Sequence, residues 1–412
     1  MDISSKAESL ARDYKGVKKV ALSYSGGLDS VVVGTVLKKA GFQVFPVVVD
    51  IGQKTDLARV AKNAKQMFGS CSIANAREKF TEGVIRGIKA NFGSGGQMNC
   101  GGLSRPAMAQ ALVFEARRLS CDAIAHGSSG TGNDHLTMEN SLRVLAPDLR
   151  ILAIVRDLDF KRDEALLFAK KERLITNMAR ANKYSVDENL WVRTIRQGEV
   201  SDPTKPIPEE IYKWTVSPEK APSKPEDVEI EFLNGIIVFA KAGKREAKNA
   251  AEAIALLNET GGKHGVGRLD ALDEKIAGLK IREIYECPAA AIILAAHAEL
   301  ESITLTTKEL DTKQYVDSLW GRIVHDGGWY TRLRRGLDAF IDETERAVDG
   351  RVCMRLYKGS VRMLWRKSKH ALYDSRLSTR DSSAVFSQKE ARHFAKLYGL
   401  QDVIAYMIDV DS

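Results

Sequence analysis

Two apolar runs near the N-terminus, residues 19–24 (KVALSY) and 42–49 (FQVFPVVV), are separated by a helix-compatible stretch over residues 30–40. Runs this short and continuous are buried on both faces, a property of parallel strands covered by helices. Parallel strands need a crossover connection, so the strand–helix–strand order commits the first third of the chain to an α/β fold. The pattern continues with helices over residues 57–68, 105–119 and 161–171 and strands over 122–125 and 150–155. The expected architecture is a doubly wound parallel-sheet nucleotide-binding domain over residues 1–170. An α+β synthetase-type domain over 171–370 and a C-terminal segment over 371–412 follow it.

The second half reads differently. Six of the ten prolines fall within residues 197–225, too many for helices or central strands, so an ordered surface connection is expected there. Residues 228–240 (VEIEFLNGIIVFA) have the pattern of a hairpin turning at Asn234-Gly235. Residues 352–356 and 360–365, either side of Tyr357-Lys358-Gly359, suggest another. Residues 388–400 read as an amphipathic helix fit to dock on a partner subunit.

Composition narrows the function classes. The 412 residues are 44% hydrophobic and 28% charged, a globular balance. The net charge is +8, but the basic residues are scattered, which favours a solvated surface or small anionic substrates over nucleic acid. No apolar stretch approaches the ~20 residues of a membrane span, and the N-terminus lacks the apolar core of a signal peptide. A cytoplasmic protein is expected. The five cysteines, Cys71, Cys100, Cys121, Cys287 and Cys353, form no CxxC pair, and the seven histidines form no HExxH. A disulfide framework and a zinc site are both disfavoured.

The chemistry is concentrated in Ser25-Gly26-Gly27-Leu28-Asp29-Ser30, directly after the first strand and opening the first helix. Glycines there let the backbone approach an anion, and the helix start aims free N–H groups and its positive dipole end at it. The hydroxyls of Ser25 and Ser30 add donors. The segment has neither the GxxxxGK[ST] nor the GxGxxG pattern. In its strand–loop–helix setting it resembles the pyrophosphate loop of the N-type ATP pyrophosphatases, which split ATP between the α and β phosphates and adenylate an oxygen of a second substrate.

Later segments sharpen the resemblance. In order along the chain come Asp50-Ile51-Gly52-Gln53, residues 125–134 (AHGSSGTGND), 184–190 (YSVDENL), 212–215 (YKWT), 261–268 (GGKHGVGR) and 284–286 (IYE). Together they resemble the argininosuccinate synthase family over about residues 18–400. That resemblance implies ATP and Mg2+, aspartate and citrulline as small-molecule substrates, no nucleic-acid or membrane partner, and a homotetramer assembled through the C-terminal helix. The ureido oxygen of citrulline attacks the α-phosphorus, pyrophosphate leaves, and the aspartate amine displaces AMP. By the same resemblance Ala21, Ser23, Tyr24, Ser25, Gly26, Gly27, Asp29, Ser30, His126 and Gly127 form the nucleotide side. Ser129, Asn133 and Asp134 form the aspartate segment. Asp29, Arg105 and Asp134 carry catalysis, and the magnesium ligands are not assigned.

The resemblance breaks on the acceptor side. The family's Tyr-x-x-x-Thr-[Ser/Ala]-Leu-Ala-Arg-Pro segment, set in register by Leu103, Arg105 and Pro106, has Gln97 for the tyrosine and Gly101 and Gly102 for the pair before leucine. Thr137 stands in place of an arginine, Thr194 of a serine and Asp273 of a glutamate, while Ser185 and Tyr285 are kept. The acceptor pocket is therefore expected from Gln97, Gly102, Thr137, Ser185, Thr194, Asp273 and Tyr285. Removing one partner from a buried polar site costs about 1–3 kcal/mol, and more where charge is involved. Two outcomes stay open. Either another lysine or arginine supplies the missing charge for citrulline, or the same ATP and aspartate chemistry serves a different ureido, amide or carboxylate acceptor. Cys100 sits in the altered loop. A tRNA-thiolating pyrophosphatase is disfavoured by the lack of paired cysteines, and a non-catalytic ATP-binding paralogue by the intact loop.

Overall fold

The apolar runs become the central strands of a parallel sheet. In the computed structural model, which describes residues 10–94, 96, 98, 101–174, 184–379, 385 and 387–411, the first half of the chain runs as follows: β1 (Lys19–Ser23), α1 (Leu28–Lys39), β2 (Gln43–Asp50), α2 (Leu57–Phe68), β3 (Ser72–Asn75), α3 (Arg77–Lys89), α4 (Gly101–Arg118), β4 (Ala123–Ala125), α5 (Asp134–Leu145), β5 (Arg150–Leu152), α6 (Ile154–Asp157) and α7 (Arg162–Lys171). The strand order is β3-β2-β1-β4-β5 and every pairing is parallel. This is the doubly wound arrangement, with β1 at the centre and its Val20, Ala21 and Leu22 fully buried. Two boundaries differ from the sequence reading. Helix α4 begins at Gly101 rather than 105, because Pro106, which reads as a helix start, lies inside the helix. The strand expected over 150–155 stops at Leu152, since β4 offers only three pairing residues, and Ile154–Asp157 turn into a short helix.

The second half supplies two antiparallel sheets. Its elements are β6 (Ser185–Glu188), β7 (Arg193–Arg196), β8 (Glu226–Leu233), β9 (Ile236–Ala242), β10 (Arg245–Ala247), α8 (Ala250–Lys263), β11 (Arg268–Glu274), β12 (Lys280–Glu286), α9 (Pro288–Thr304), α10 (Thr307–His325), α11 (Arg332–Glu345), β13 (Gly350–Tyr357) and β14 (Ser360–Lys367). One sheet has the order β11-β12-β7-β6 and the other β10-β9-β8-β13-β14. The expected hairpin turns at Asn234 (φ 51°) and Gly235 (φ 70°), the paired positive angles of a tight two-residue turn. The described residues up to His370 form one compact unit, in which one apolar cluster runs from Ala21 and Val47 through Trp320 and Ile293 to Phe232 and Leu356 and another gathers Val20, Leu22, Val32 and Leu37 around β1 and α1. Residues 371–412 form a second unit of short helices, α12 (Ser375–Ser378), α13 (Gln388–Leu397) and α14 (Leu400–Asp411), on which Phe394, Leu397, Val403, Ile404 and Met407 are exposed.

A buried cluster of charge ties α9, α10 and α11 to the end of α3. The Lys313 ammonium donates to the Lys89 carbonyl (2.6 Å) and Asp317 (2.8 Å) and lies 2.8 Å from Glu301 and 3.5 Å from Glu345. His297 Nε2 contacts Glu345 at 2.8 Å, and Asn91 donates to both Glu301 and Asp317. His297, Glu301 and Glu345 have the composition of a metal set, but the Lys313 ammonium already lies among their oxygens and supplies the cation. Burial lifts the Asp317 carboxyl to about 6, with Lys313 pulling the other way. In the unfolded chain the value is about 3.9, so between those pH values the folded protein holds the extra proton and the ionised aspartate weakens it as pH rises. Asp317→Asn is therefore expected to gain roughly 1–3 kcal/mol on the wild type between pH 4 and pH 7, read from urea midpoints at both. A difference between the two proteins that does not change with pH would contradict this.

Candidate active site

The connection after β1 is built to leave donors unspent. Gly26 takes φ +74°, and a Cβ there would lie 2.9 Å from Val60, so the loop closes tightly over α2. The Gly27 N–H donates to Ser25 Oγ (3.2 Å), and Ser30 Oγ donates to the Gly27 carbonyl (2.9 Å), fixing both hydroxyls at the mouth of α1. Gly27 caps that helix without a side-chain bond, which leaves its first N–H groups for an anion. Burial pushes the Asp29 carboxyl upward, partly offset by Arg162. The segment after β4 lies against this loop, since a Cβ on Gly127 would fall 3.3 Å from Asp29 Cβ and 3.5 Å from the Ser30 nitrogen. His126 is buried beside it. Its Nδ1 accepts from the Ser128 N–H at 3.3 Å, and its Nε2 faces Glu139 at 3.7 Å. Ala21 and Ser23 lie on β1, and Tyr24 is buried with its phenol pushed up to about 12 by burial.

Seven residues beyond Gly127 the same segment reaches a field of interlocked charge. Strand pairing places Ser185 opposite Arg196, Asp187 opposite Thr194 and Thr194 opposite Tyr285, so these share one face of the β11-β12-β7-β6 sheet with Glu283 and Asp273. Arg105, buried on α4, pairs with Asp187 and with Asp134 (3.2 Å). Arg196 lies 3.5 Å from Asp134 and 3.4 Å from Glu283. Lys275 pairs with Asp273 and with Glu283 (2.8 Å), and the Tyr285 hydroxyl donates to Glu283 at 2.7 Å. Burial disfavours the Asp134 anion, but Arg105 and Arg196 overcome that and hold its carboxyl well below the ordinary range. Burial lifts the Asp273 carboxyl despite Lys275. A cavity of about 710 Å3 lined by Lys275 also reaches Ile276, Arg322 and His325. Three cations among four carboxylates suit zwitterionic ligands that exchange their own charges into the network.

Residues 19–175 match the arginosuccinate synthase N-terminal HUP domain and residues 184–405 the arginosuccinate synthase C-terminal domain. The chain belongs to the argininosuccinate synthase family. It is 40% identical over 394 residues to the argininosuccinate synthase of Pyrococcus furiosus, covering 94% of each chain. It is 41% identical over 391 residues to that of Methanocaldococcus jannaschii, covering 94% of this chain and 97% of the relative. The Rubrobacter xylanophilus argininosuccinate synthase is 39% identical over 388 residues, covering 93% and 94%.

Several segments that carry the argininosuccinate synthase resemblance hold the site from behind. The Glu286 carboxylate accepts from the backbone N–H groups of Lys213 (2.9 Å), Trp214 (2.7 Å) and Thr215 (2.9 Å) and pairs with Arg193. This pins the 212–215 segment to β12. A Cβ on Gly262 would lie 2.1 Å from the Trp214 carbonyl oxygen, and Arg268 donates to the Thr215 carbonyl at 2.8 Å, which locks the 261–268 segment onto the same turn. The loop after β2 packs on the 184–190 segment, with the Leu190 N–H donating to the Ile51 carbonyl at 3.0 Å and a Gly52 Cβ only 2.8 Å from that of Leu190.

The residues marked by departures from the argininosuccinate synthase pattern divide. Ser185, Thr194, Asp273 and Tyr285 share the charged face, with Asn133 and Asp134 at its edge. Ser129 is exposed, its hydroxyl 3.0 Å from that of Thr131. Thr137 is buried and spends its hydroxyl on the Asn133 and Asp134 carbonyls at 3.2 and 3.1 Å. Gly101 faces Asp134, where a Cβ would sit 2.6 Å from Oδ1, whereas Gly102 packs on the α10 backbone with a Cβ position 2.7 Å from the Val324 carbonyl oxygen. Gln97 and Cys100 lie outside the described residues. Reading the sequence missed Asp187, Arg196, Lys275, Glu283 and His325. For the strand residues the available signal was period-two alternation in RTIR and KIREIYE, which puts Arg196, Glu283 and Tyr285 on one face once the strands are paired. Because Gly102 has backbone rather than a flexible side chain against it, Gly102→Thr is expected to cost roughly 1–3 kcal/mol in urea unfolding. An unchanged midpoint would contradict the close approach.

Proposed function

We propose that this chain catalyses ATP-dependent joining of citrulline and aspartate to argininosuccinate, releasing AMP and pyrophosphate. The observation that carries the reading is the course of residues 126–134. One end lies against the phosphate loop at Asp29 and Ser30, and the other delivers Asp134 between Arg105 and Arg196. A nucleotide held by the loop and an amino acid held by the charged face are thereby served by one short stretch of backbone, which is what an adenylation between them requires. The ureido carbon becomes electrophilic once its oxygen is esterified to the α-phosphorus. The remaining work is orientation and charge stabilisation, for which preorganised guanidinium groups and helix N–H donors suffice. Asp134, held ionised by two arginines, acts as an anchor and not as a proton acceptor, while Arg105 and Asp29 serve the reacting groups.

Magnesium fits the donor set on the nucleotide side. Asp29 is a carboxylate beside the phosphate loop, the ligand type that Mg2+ takes together with phosphate oxygens. The ion, when bound, would neutralise the departing pyrophosphate. On the acceptor side, Arg196 supplies a positive charge that the buried Thr137 does not. Its contacts at 3.4 and 3.5 Å are longer than the roughly 2.7–2.9 Å of a committed charge-assisted hydrogen bond, leaving capacity for a ligand carboxylate. This supports citrulline over a changed acceptor.

The same reading divides the chain into a nucleotide-binding part over residues 1–170, a synthetase part over 171–370 and an oligomerisation segment over 371–412. The apolar residues exposed on α13 and α14 are then the contacts of a homotetramer. Among the described residues no helix is long and apolar enough to cross a membrane, which fits a cytoplasmic enzyme. The test is pyrophosphate release with ATP, Mg2+ and aspartate, with and without citrulline, following the product by mass. Release that requires citrulline and yields argininosuccinate is expected. ATP-binding protein that releases no pyrophosphate with citrulline would overturn the assignment.

A further inference from the structure

Arg196 on β7 is the second choice of every described acid that it reaches. Its Nη2 lies 3.5 Å from Asp134 Oδ2 and 4.0 Å from Asp187 Oδ2, and its Nη1 lies 3.4 Å from Glu283 Oε1. Each of those same three oxygens has a nearer cation. Arg105 Nη2 serves Asp134 Oδ2 at 3.2 Å and Asp187 Oδ2 more closely still, and the Lys275 ammonium donates to Glu283 Oε1 at 2.8 Å. The other Glu283 oxygen accepts from the Tyr285 hydroxyl at 2.7 Å, so both oxygens of that carboxylate have a partner closer than Arg196. Lys275 is buried just after β11 and takes Asp273 as its second acid. Arg196 meanwhile lines a small cleft together with Gly101, Asn133 and Thr194, its N–H groups spent only on these long contacts.

We propose that Lys275 is a positioning residue for the acceptor substrate: by occupying Glu283, it keeps the Arg196 guanidinium free to take the substrate's carboxylate. This rests on the reading of Arg196 as the group that receives the citrulline carboxylate, and adds to it what leaves that guanidinium available. Lys275 touches no reacting atom. Without its charge, the nearest cation left to Glu283 is Arg196. A buried carboxylate is costly when unpaired, and a committed charge-assisted hydrogen bond closes to roughly 2.7–2.9 Å. The guanidinium is then captured by the protein, and the ligand has to compete with Glu283 for it.

A pair of variants separates this role from simple bracing of the β11–β12 hairpin. Lys275→Met keeps the aliphatic stem and removes the charge. In the full-length enzyme it is expected to raise the citrulline KM about tenfold or more, with kcat at saturating citrulline and the ATP and aspartate KM values all within about threefold of the wild type. Adding Glu283→Gln removes the charge that captures Arg196 and keeps an oxygen for the Tyr285 hydroxyl, so the double variant is expected to recover about fivefold or more of the loss. A lysine that merely braced the hairpin would give a double variant no better than the single one. The proposal is overturned if Lys275→Met leaves the citrulline KM unchanged, if Glu283→Gln brings no recovery, or if all three KM values rise together. Should Lys275→Met not fold, Lys275→Gln carries the same comparison. A wild-type chain that makes no argininosuccinate overturns the proposed function alone. The claim for Lys275 is then decided by crystal structures of the wild type and the two variants. The Arg196–Glu283 separation, 3.4 Å beside Lys275, must close to about 2.9 Å in Lys275→Met and reopen in the double variant. An unchanged separation overturns the proposal.

Discussion

The site depends on the double grip on Asp134. A carboxylate held between Arg105 and Arg196 is kept ionised against burial, and each guanidinium is held in turn by a further acid, Asp187 for Arg105 and Glu283 for Arg196. Buried charges are tolerated only when paired, so each member of this network constrains the placement of the others. Helix α4, helix α5 and the β11-β12-β7-β6 sheet are held together by side chains that would each be costly alone. Because Asp134 ends the segment that begins at His126, the grip also sets how that segment lies over the phosphate loop. Nucleotide geometry and amino-acid geometry are thus coupled through one stretch of backbone.

How much of this was legible in the sequence follows from how local each feature is. The phosphate loop occupies six consecutive residues between a strand and a helix, and its glycines and hydroxyls act where they stand, so it could be read directly. The parallel sheet was legible because Val20, Leu22, Val47, Val48 and Val49 are buried on both strand faces and leave a continuous apolar signature. The charged face was not, because its strands are short, carry ionic groups on both sides, and acquire a common face only when Thr194 is set opposite Tyr285 and Asp187 opposite Thr194. Arg196 and Glu283 look like solvent-facing charges until that register exists. His325 is a single histidine at a helix end, a position with no sequence pattern.

The substitutions on the acceptor side also gain a physical sense. Gly101 leaves room for the Asp134 carboxylate, and Gly102 lets α4 approach the backbone of α10. The two glycines thus serve the close meeting of helices that brings His325 to Asn133. Thr137 faces its own helix backbone, and Arg196 on β7 and Lys275 just after β11 bring positive charge from the sheet that forms the face. A pocket can retain its electrostatic balance while redistributing which elements supply it, provided that the total charge and the packing change together.

The account stands on the claim that the phosphate loop and the charged face are two halves of one adenylating centre. The most direct measurement is the fate of the ureido oxygen when citrulline carrying oxygen-18 at that position is turned over with ATP and aspartate, with the products analysed by mass. The account predicts the label in the phosphate of AMP, since the bond formed is from that oxygen to the α-phosphorus and the bond later broken is from that oxygen to carbon. Argininosuccinate formed with unlabelled AMP would contradict it, because the nucleotide would then have activated something other than the acceptor on the charged face.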